Sequence, residues 1–147
     1  MARGKKPLLE NIEIKKIAAE GKSIAYVEDK VLFVPNTVPG DIVDVQVTRK
    51  RKSFLEGLVT RMHHPSELRI KPRCAHFGIC GGCKWQNLPY EAQLQFKQQE
   101  VIDNLERIGK AELQDIRPII GAARQFEYRN KLEFTFSSQR FLTREEI

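Results

Sequence analysis

The sequence predicts a mainly β protein with an α+β continuation. The expected order is a small five-stranded barrel, a cysteine-rich loop, one helix and the start of a second α/β domain. Three observations predict it. Between Asn11 and His64 short β-like runs follow one another, with period-two alternation clearest at Val43, Val45 and Val47. All three cysteines fall within one short stretch, CAHFGICGGCKWQ, from Cys74 to Gln86. After Pro89 the apolar spacing becomes helical.

Residues 1–10 read as a flexible basic start. The barrel is expected over residues 11–64. Ile12 and Ile14 alternate with Glu13 and Lys15. Ile24 and Tyr26 oppose Ala25 and Val27. Val31 to Val34 is a short apolar strand, and Val43, Val45 and Val47 alternate with Asp44, Gln46 and Thr48. Phe54 to Met62 makes the fifth strand, with Gly57 a bulge candidate. Glu20-Gly21 and Glu28-Asp29-Lys30 are turns. Pro39-Gly40 suits the centre of a type II turn, because proline presets φ and glycine accepts φ > 0. Five short strands are too few for a sandwich and suit a closed barrel of OB-like character. Residues 65–88 form the cysteine loop, and residues 89–147 begin the next domain. There, Tyr90, Leu94, Val101, Leu105 and Ile108 make one apolar helical stripe, expected to be core. Pro89 suits its first turn and Gly109 its C′ position. Ile116 to Ile120 and Tyr128 to Ser137 read as strands. They have no sheet partners in the remaining sequence, so the chain is expected to be the first part of a longer protein.

The 147 residues carry a net charge of +6. Nine Lys/Arg against two acids lie between Arg49 and Lys84, so that window holds +7 and the remainder is close to neutral. A one-signed cluster implies a polyanion, and RNA phosphates are the expected partner. The candidate contacts are Arg49, Lys50, Arg51 and Lys52 at the turn between the last two strands, and Arg61 and His63 at the strand end. Lys71, Arg73, Lys84, Arg129 and Lys131 follow. Trp85, lying between Lys84 and Gln86, is a candidate to stack on an unpaired base, as are Phe54 and Phe77. No run of about 18 apolar residues spans a bilayer, and no apolar segment precedes a cleavage site. A cytoplasmic monomer is therefore expected, and three cysteines do not make a disulfide framework.

The cysteine spacing is C-x5-C-x2-C. Gly81-Gly82 lets the backbone fold tightly, so that the Cys80 and Cys83 thiolates can face one centre. Thiolates suit iron–sulfur clusters and zinc. Cys74, Cys80 and Cys83 are the candidate ligands. On spacing alone a [4Fe–4S] cluster with a fourth ligand elsewhere stands level with zinc completed by His76, His63 or His64. A redox CxxC lacks its βαβ context. No phosphate-binding glycine loop occurs, and no isolated cysteine is left to serve as nucleophile.

Three stretches together resemble one family. CAHFGICGGCKWQ resembles the C-x5-C-G-G-C-x-x-Q signature of iron–sulfur RNA uracil-C5 methyltransferases of the 23S rRNA type. NIEIKKIAAEGKSIAYVEDKVLFVPNTVPGDIVDVQV is similar to a TRAM domain, an OB-like RNA-binding barrel, and YRNKLEFTFS resembles the start of the family's central domain. The resemblance implies that Cys74, Cys80 and Cys83 bind a [4Fe–4S] cluster whose fourth ligand lies beyond Ile147. It also implies an S-adenosylmethionine site, a catalytic cysteine that adds to uracil C6, and a base that removes the C5 proton, none within these residues. The chain alone is therefore expected to be inactive. Relatives acting on tRNA usually lack both TRAM and cysteine motif, which favours 23S rRNA as partner. A free-standing zinc-dependent RNA-binding module is the second reading.

Overall fold

The computed structural model describes residues 6–79, 82–128 and 136–140. Its strands are β1 (Leu8–Glu13), β2 (Lys16–Ile17), β3 (Lys22–Val27), β4 (Lys30–Pro35), β5 (Ile42–Lys50) and β6 (Phe54–His64). A helix, α1 (Tyr90–Asp103), continues through one wider turn, Asn104–Ile108. The sheet order is β1-β5-β6-β4-β3-β2, antiparallel except for the parallel β4–β6 pair.

Six strands appear where five are expected, because the first strand is divided. β1 pairs with β5, whereas β2 pairs with β3 at the opposite edge. Only Ile14 and Lys15 separate them. Their amides donate to Asp41 O at 2.9 Å and Ile24 O at 2.8 Å, so one segment bonds to both sides. The sheet curls into a half-barrel whose two edges belong to the same stretch of chain, which leaves little free edge. β1 begins at Leu8, inside the segment expected as a flexible lead-in. Residues 1–5 lie outside the described residues.

The period-two pattern builds the core. Ile14, Ala25, Leu32, Val34, Val43, Val45, Val47 and Leu55 pack together, with Leu9, Ile12, Val27 and Val59 against them. The β3 face bearing Ser23 and Ala25 is buried, and Tyr26 points outward. Pro39-Gly40 turns as expected: Asp41 N donates to Val38 O at 3.1 Å, and Gly40 has φ 90°.

The expected bulge is real but lies opposite Gly57. Val47 pairs with Gly57 and Arg49 with Glu56, which leaves Thr48 of β5 as the extra residue. Glycine is needed at 57 for space, since a Cβ there would lie 2.3 Å from Val45 Cγ1. Further irregularities set off Thr60 and His63 in β6 and the Glu10–Asn11 region of β1. Two of them meet on one carboxylate: Asp44 Oδ1 accepts from Asn11 N at 2.9 Å and lies 2.7 Å from His63 Nε2. Asn11 has φ 53° at this point. The Asp44 carboxyl is held below its ordinary value, first by the Asn11 amide and then by His63.

The C-terminal third departs further from expectation. Pro89 is the N-cap, just outside the first turn of α1. Gly109 keeps a right-handed φ of −72°, and Lys110 takes the left-handed conformation instead, with φ 53°. Gly109 is there for room, because a Cβ would meet Leu105 O at 2.8 Å. No residue of α1 is buried, so the apolar stripe is not core among the described residues. Ile116–Ile120 is not a strand. It has no regular secondary structure and is tied to α1, with Ile119 N donating to Gln98 Oε1 at 3.0 Å and Gln98 Nε2 to Arg117 O at 3.3 Å. Most of the expected strand at residues 128–137 lies outside the described residues.

Candidate functional site

The cysteine loop is mounted on the half-barrel at its base. On the rising arm, Arg69 makes a two-pronged ion pair with Asp41, Nε to Oδ1 at 2.7 Å and Nη2 to Oδ2 at 2.6 Å. Asp41 is fully buried and also accepts from the amides of Val38 (2.7 Å) and Ser66 (2.9 Å). Four donors on one buried carboxylate explain why the charge is tolerated. On the falling arm, Asn87 and Leu88 are buried, and Ile70 N donates to Asn87 O at 3.0 Å, tying the arms together. Gln93 of α1 reaches back, its Nε2 donating to Trp85 O at 3.0 Å and Leu88 O at 2.9 Å. Gly21, with φ 71°, receives the loop closely: a Cβ there would fall 2.4 Å from Lys84 Cβ and 3.2 Å from Trp85 Nε1.

Within the loop, Cys74 is half-buried and Cys83 exposed, and neither is in a disulfide. Cys80 lies outside the described residues. Gln86 spans the other two: its Oε1 accepts from Cys74 N at 3.1 Å, and its Nε2 donates to Cys83 Sγ at 3.1 Å. Two free thiols, with Gln86 on the sulfur of one residue and the backbone amide of the other, fit a soft metal or an iron–sulfur cluster in donor type. Among the described residues no group of three metal-ligating side chains is formed. Of the histidines considered for zinc, His63 is committed to Asp44 and His76 is exposed. Beside Cys74 and Gln86, a shallow cleft of about 300 Å³ is also lined by Arg73, Phe126 and Glu127.

The basic residues fall into two groups. Arg49, Lys50, Arg51 and Lys52 occupy the exposed tip between β5 and β6, and Arg49 lies 3.5 Å from Glu56. Arg61 and His63 lie at the far end of β6, where the cysteine loop begins. Eleven residues at roughly 3.3 Å each place the two ends of β6 at most about 33 Å apart. Arg61, Lys71, Arg73 and Lys84 are exposed, whereas His63 is half-buried on Asp44. Arg73 is engaged with Glu127 at 3.0 Å and lies 4.9 Å from the Phe126 ring centroid. Trp85 is half-buried, with Lys97 Nζ 5.7 Å from its ring centroid. Phe54 meets Phe33 edge-on at 5.8 Å and so sits within the fold. Arg129 and Lys131 lie outside the described residues. Sequence reasoning missed the Asp41–Arg69 pair and the role of Gly21, because both depend on partners 28 and more than 60 positions away. Gln86 stood out in the sequence as the last residue of the C-x5-C-G-G-C-x-x-Q signature, where a hydrogen bond that shapes the loop was one expected role; its two partners are visible only in the structure.

Residues 10–60 match the profile of the TRAM domain, and this range coincides with the curled sheet. This stretch is similar to the TRAM domain. It accounts for barely more than a third of the chain, yet similarity to known proteins runs further. A protein of Bacteroides thetaiotaomicron named as an uncharacterized RNA methyltransferase is 55% identical over 131 residues, 89% of this chain and 29% of that protein. One from Porphyromonas gingivalis is 48% identical over 136 residues, 92% of this chain and 29% of that protein. The 23S rRNA (uracil(1939)-C(5))-methyltransferase RlmD of Legionella pneumophila is 37% identical over 115 residues, 78% of this chain and 26% of that protein. The chain thus spans under a third of the length of the curated relatives it matches. A solved structure, the tRNA (uracil-54, C5)-methyltransferase of Pyrococcus abyssi with S-adenosyl-L-homocysteine, aligns at 26% identity and a TM-score of 0.41, over 70% of this chain and 22% of that one. Among the described residues no helix is long and apolar enough to cross a membrane.

Proposed function

We propose that this chain is the RNA-holding part of an S-adenosylmethionine-dependent RNA uracil-C5 methyltransferase acting on 23S rRNA. The observation that carries it is similarity that does not stop at the TRAM domain. It covers about nine tenths of the chain, cysteine loop included, in proteins named as RNA methyltransferases. Methyl transfer belongs to the whole protein. These residues bind and orient RNA, with the tip at Arg49–Lys52 as the first phosphate contact and Arg61, Lys71, Arg73 and Lys84 around the loop.

Cys74, Cys80 and Cys83 would hold a [4Fe–4S] cluster together with a ligand from outside the chain. Bound there, the cluster supplies a rigid cross-link for the loop. The loop in turn stands on Asp41–Arg69 and Gly21, so what is fixed at the cysteines is fixed relative to the TRAM sheet.

The test has three arms. The whole protein is incubated with labelled S-adenosylmethionine and with unmodified 23S rRNA or tRNA. 5-Methyluridine in 23S rRNA is expected, and label in tRNA alone would overturn the substrate. In parallel, RNA affinity is measured against salt. Each tip cation changed to alanine is expected to flatten the log–log slope by about 0.7 to 0.9 if it binds phosphate. An unchanged slope removes the tip from the interface. Brown colour with iron after anaerobic purification supports the cluster, and stoichiometric zinc in colourless protein would replace it.

A further inference from the structure

We propose that Gln86 is the positioning residue of the cysteine loop, holding Cys74 by its backbone and Cys83 by its sulfur. The chemistry of each group sets the direction of its contact. A backbone N–H only donates, so the Gln86 atom facing Cys74 N must be oxygen. That contact, 3.1 Å long, fixes the orientation of the amide. The other end is then the NH2, which only donates, and it faces Cys83 Sγ at 3.1 Å. The sulfur is thereby held as an acceptor. A metal-bound thiolate is an acceptor too, so the orientation that closes the loop also suits Cys83 as a ligand. Both contacts are set by one side chain whose own position is fixed by its neighbours. Asn87 and Leu88 are buried next to it, and Gln93 holds the carbonyls of Trp85 and Leu88. Gln86 therefore brings two cysteines nine positions apart to one side of the loop.

The metal-bound half of this proposal rests on the cluster reading, and the metal-free half does not. Gln86→Glu separates the two contacts, since a carboxylate still accepts from Cys74 N but offers the sulfur no donor. Gln86→Leu removes both.

In the metal-free chain, hydrogen exchange at the Cys74 amide is expected to quicken about fivefold in Gln86→Leu and to stay near wild type in Gln86→Glu. Unchanged exchange in Gln86→Leu overturns the backbone contact. In the same metal-free chain, Cys83→Ala is expected to shift the Gln86 side-chain NH2 resonances upfield, and no shift overturns the sulfur contact. In the whole protein loaded anaerobically with iron and sulfide, both Gln86 variants are expected to show a more negative midpoint potential, because a donor to sulfur stabilises the reduced, more negative cluster. A merely structural residue would speed iron loss to a chelator without moving the potential. Equal potentials in wild type and Gln86→Glu overturn the donor role. If the wild-type protein takes up no iron at all, the cluster reading fails, and the two metal-free measurements still decide the role of Gln86.

Discussion

The curled sheet and the helix after it both carry regular apolar patterns, and the fold treats them oppositely. In the sheet, Val43, Val45 and Val47 are buried at once, because β1 and β6 flank β5 and the curl brings β3 and β4 over the same face. In α1 and its wider last turn, Val101, Leu105 and Ile108 stand 56%, 44% and 80% exposed. Periodicity identifies which face of an element is apolar. It does not say what covers that face. A strand finds its cover within a few residues of hairpin, whereas a lone helix needs another layer.

Stability is most sensitive at the points that hold the sheet and loop together. Asp41→Ala leaves the Arg69 guanidinium and two amides without their carboxylate. It is expected to cost about 3–5 kcal/mol, read from urea unfolding. A loss under about 1 kcal/mol would mean that water replaces the carboxylate readily. Leu32→Ala in the core is expected to cost about 2–5 kcal/mol in the same assay. Gly57→Ala should cost about 1–3 kcal/mol, because the new Cβ presses on Val45. A neutral result there would show that β5 can shift at its bulge.

Acid tests the carboxylate that joins the bulges of β1 and β6. The Asp44 pKa is lowered in the folded state, so its contribution is present above the ordinary value of 3.8 and is lost as pH falls through the lower folded value. The urea midpoint of wild type is expected to fall further than that of Asp44→Asn between about pH 5 and about pH 3. Parallel curves would remove Asp44 from the acid response. The smallest effect is expected on the helix: Leu105→Ala should change stability by less than about 0.5 kcal/mol in this chain. A core-sized loss would show that the stripe is covered after all.

Much of the sheet was legible because strand alternation, the Pro39-Gly40 turn and the Gly57 signal are local. The division of the first strand was not, since it follows from β1 and β2 pairing with strands at opposite edges. Thr48 rather than Gly57 is the bulged residue because register belongs to a pair of strands. At the site, the cysteines and the basic tip stood out by composition. His63, expected among the RNA contacts, is turned onto Asp44. The partner that turns it is 19 positions away, and Asp44 looked like the polar half of an alternating strand.

From the sequence alone came the β class of residues 11–64, the helix after Pro89, the placing of all three cysteines in one loop and the concentration of positive charge before and within it. Each is a property of neighbouring residues, because backbone geometry repeats over two to four positions. Tertiary structure decided which side of each pattern is covered and how the loop is carried. It also decided that Gln86, rather than a cation or an aromatic residue, joins Cys74 to Cys83. Those outcomes depend on hydrogen bonds and close packing between residues far apart in the chain, and no local pattern encodes the partner at the other end.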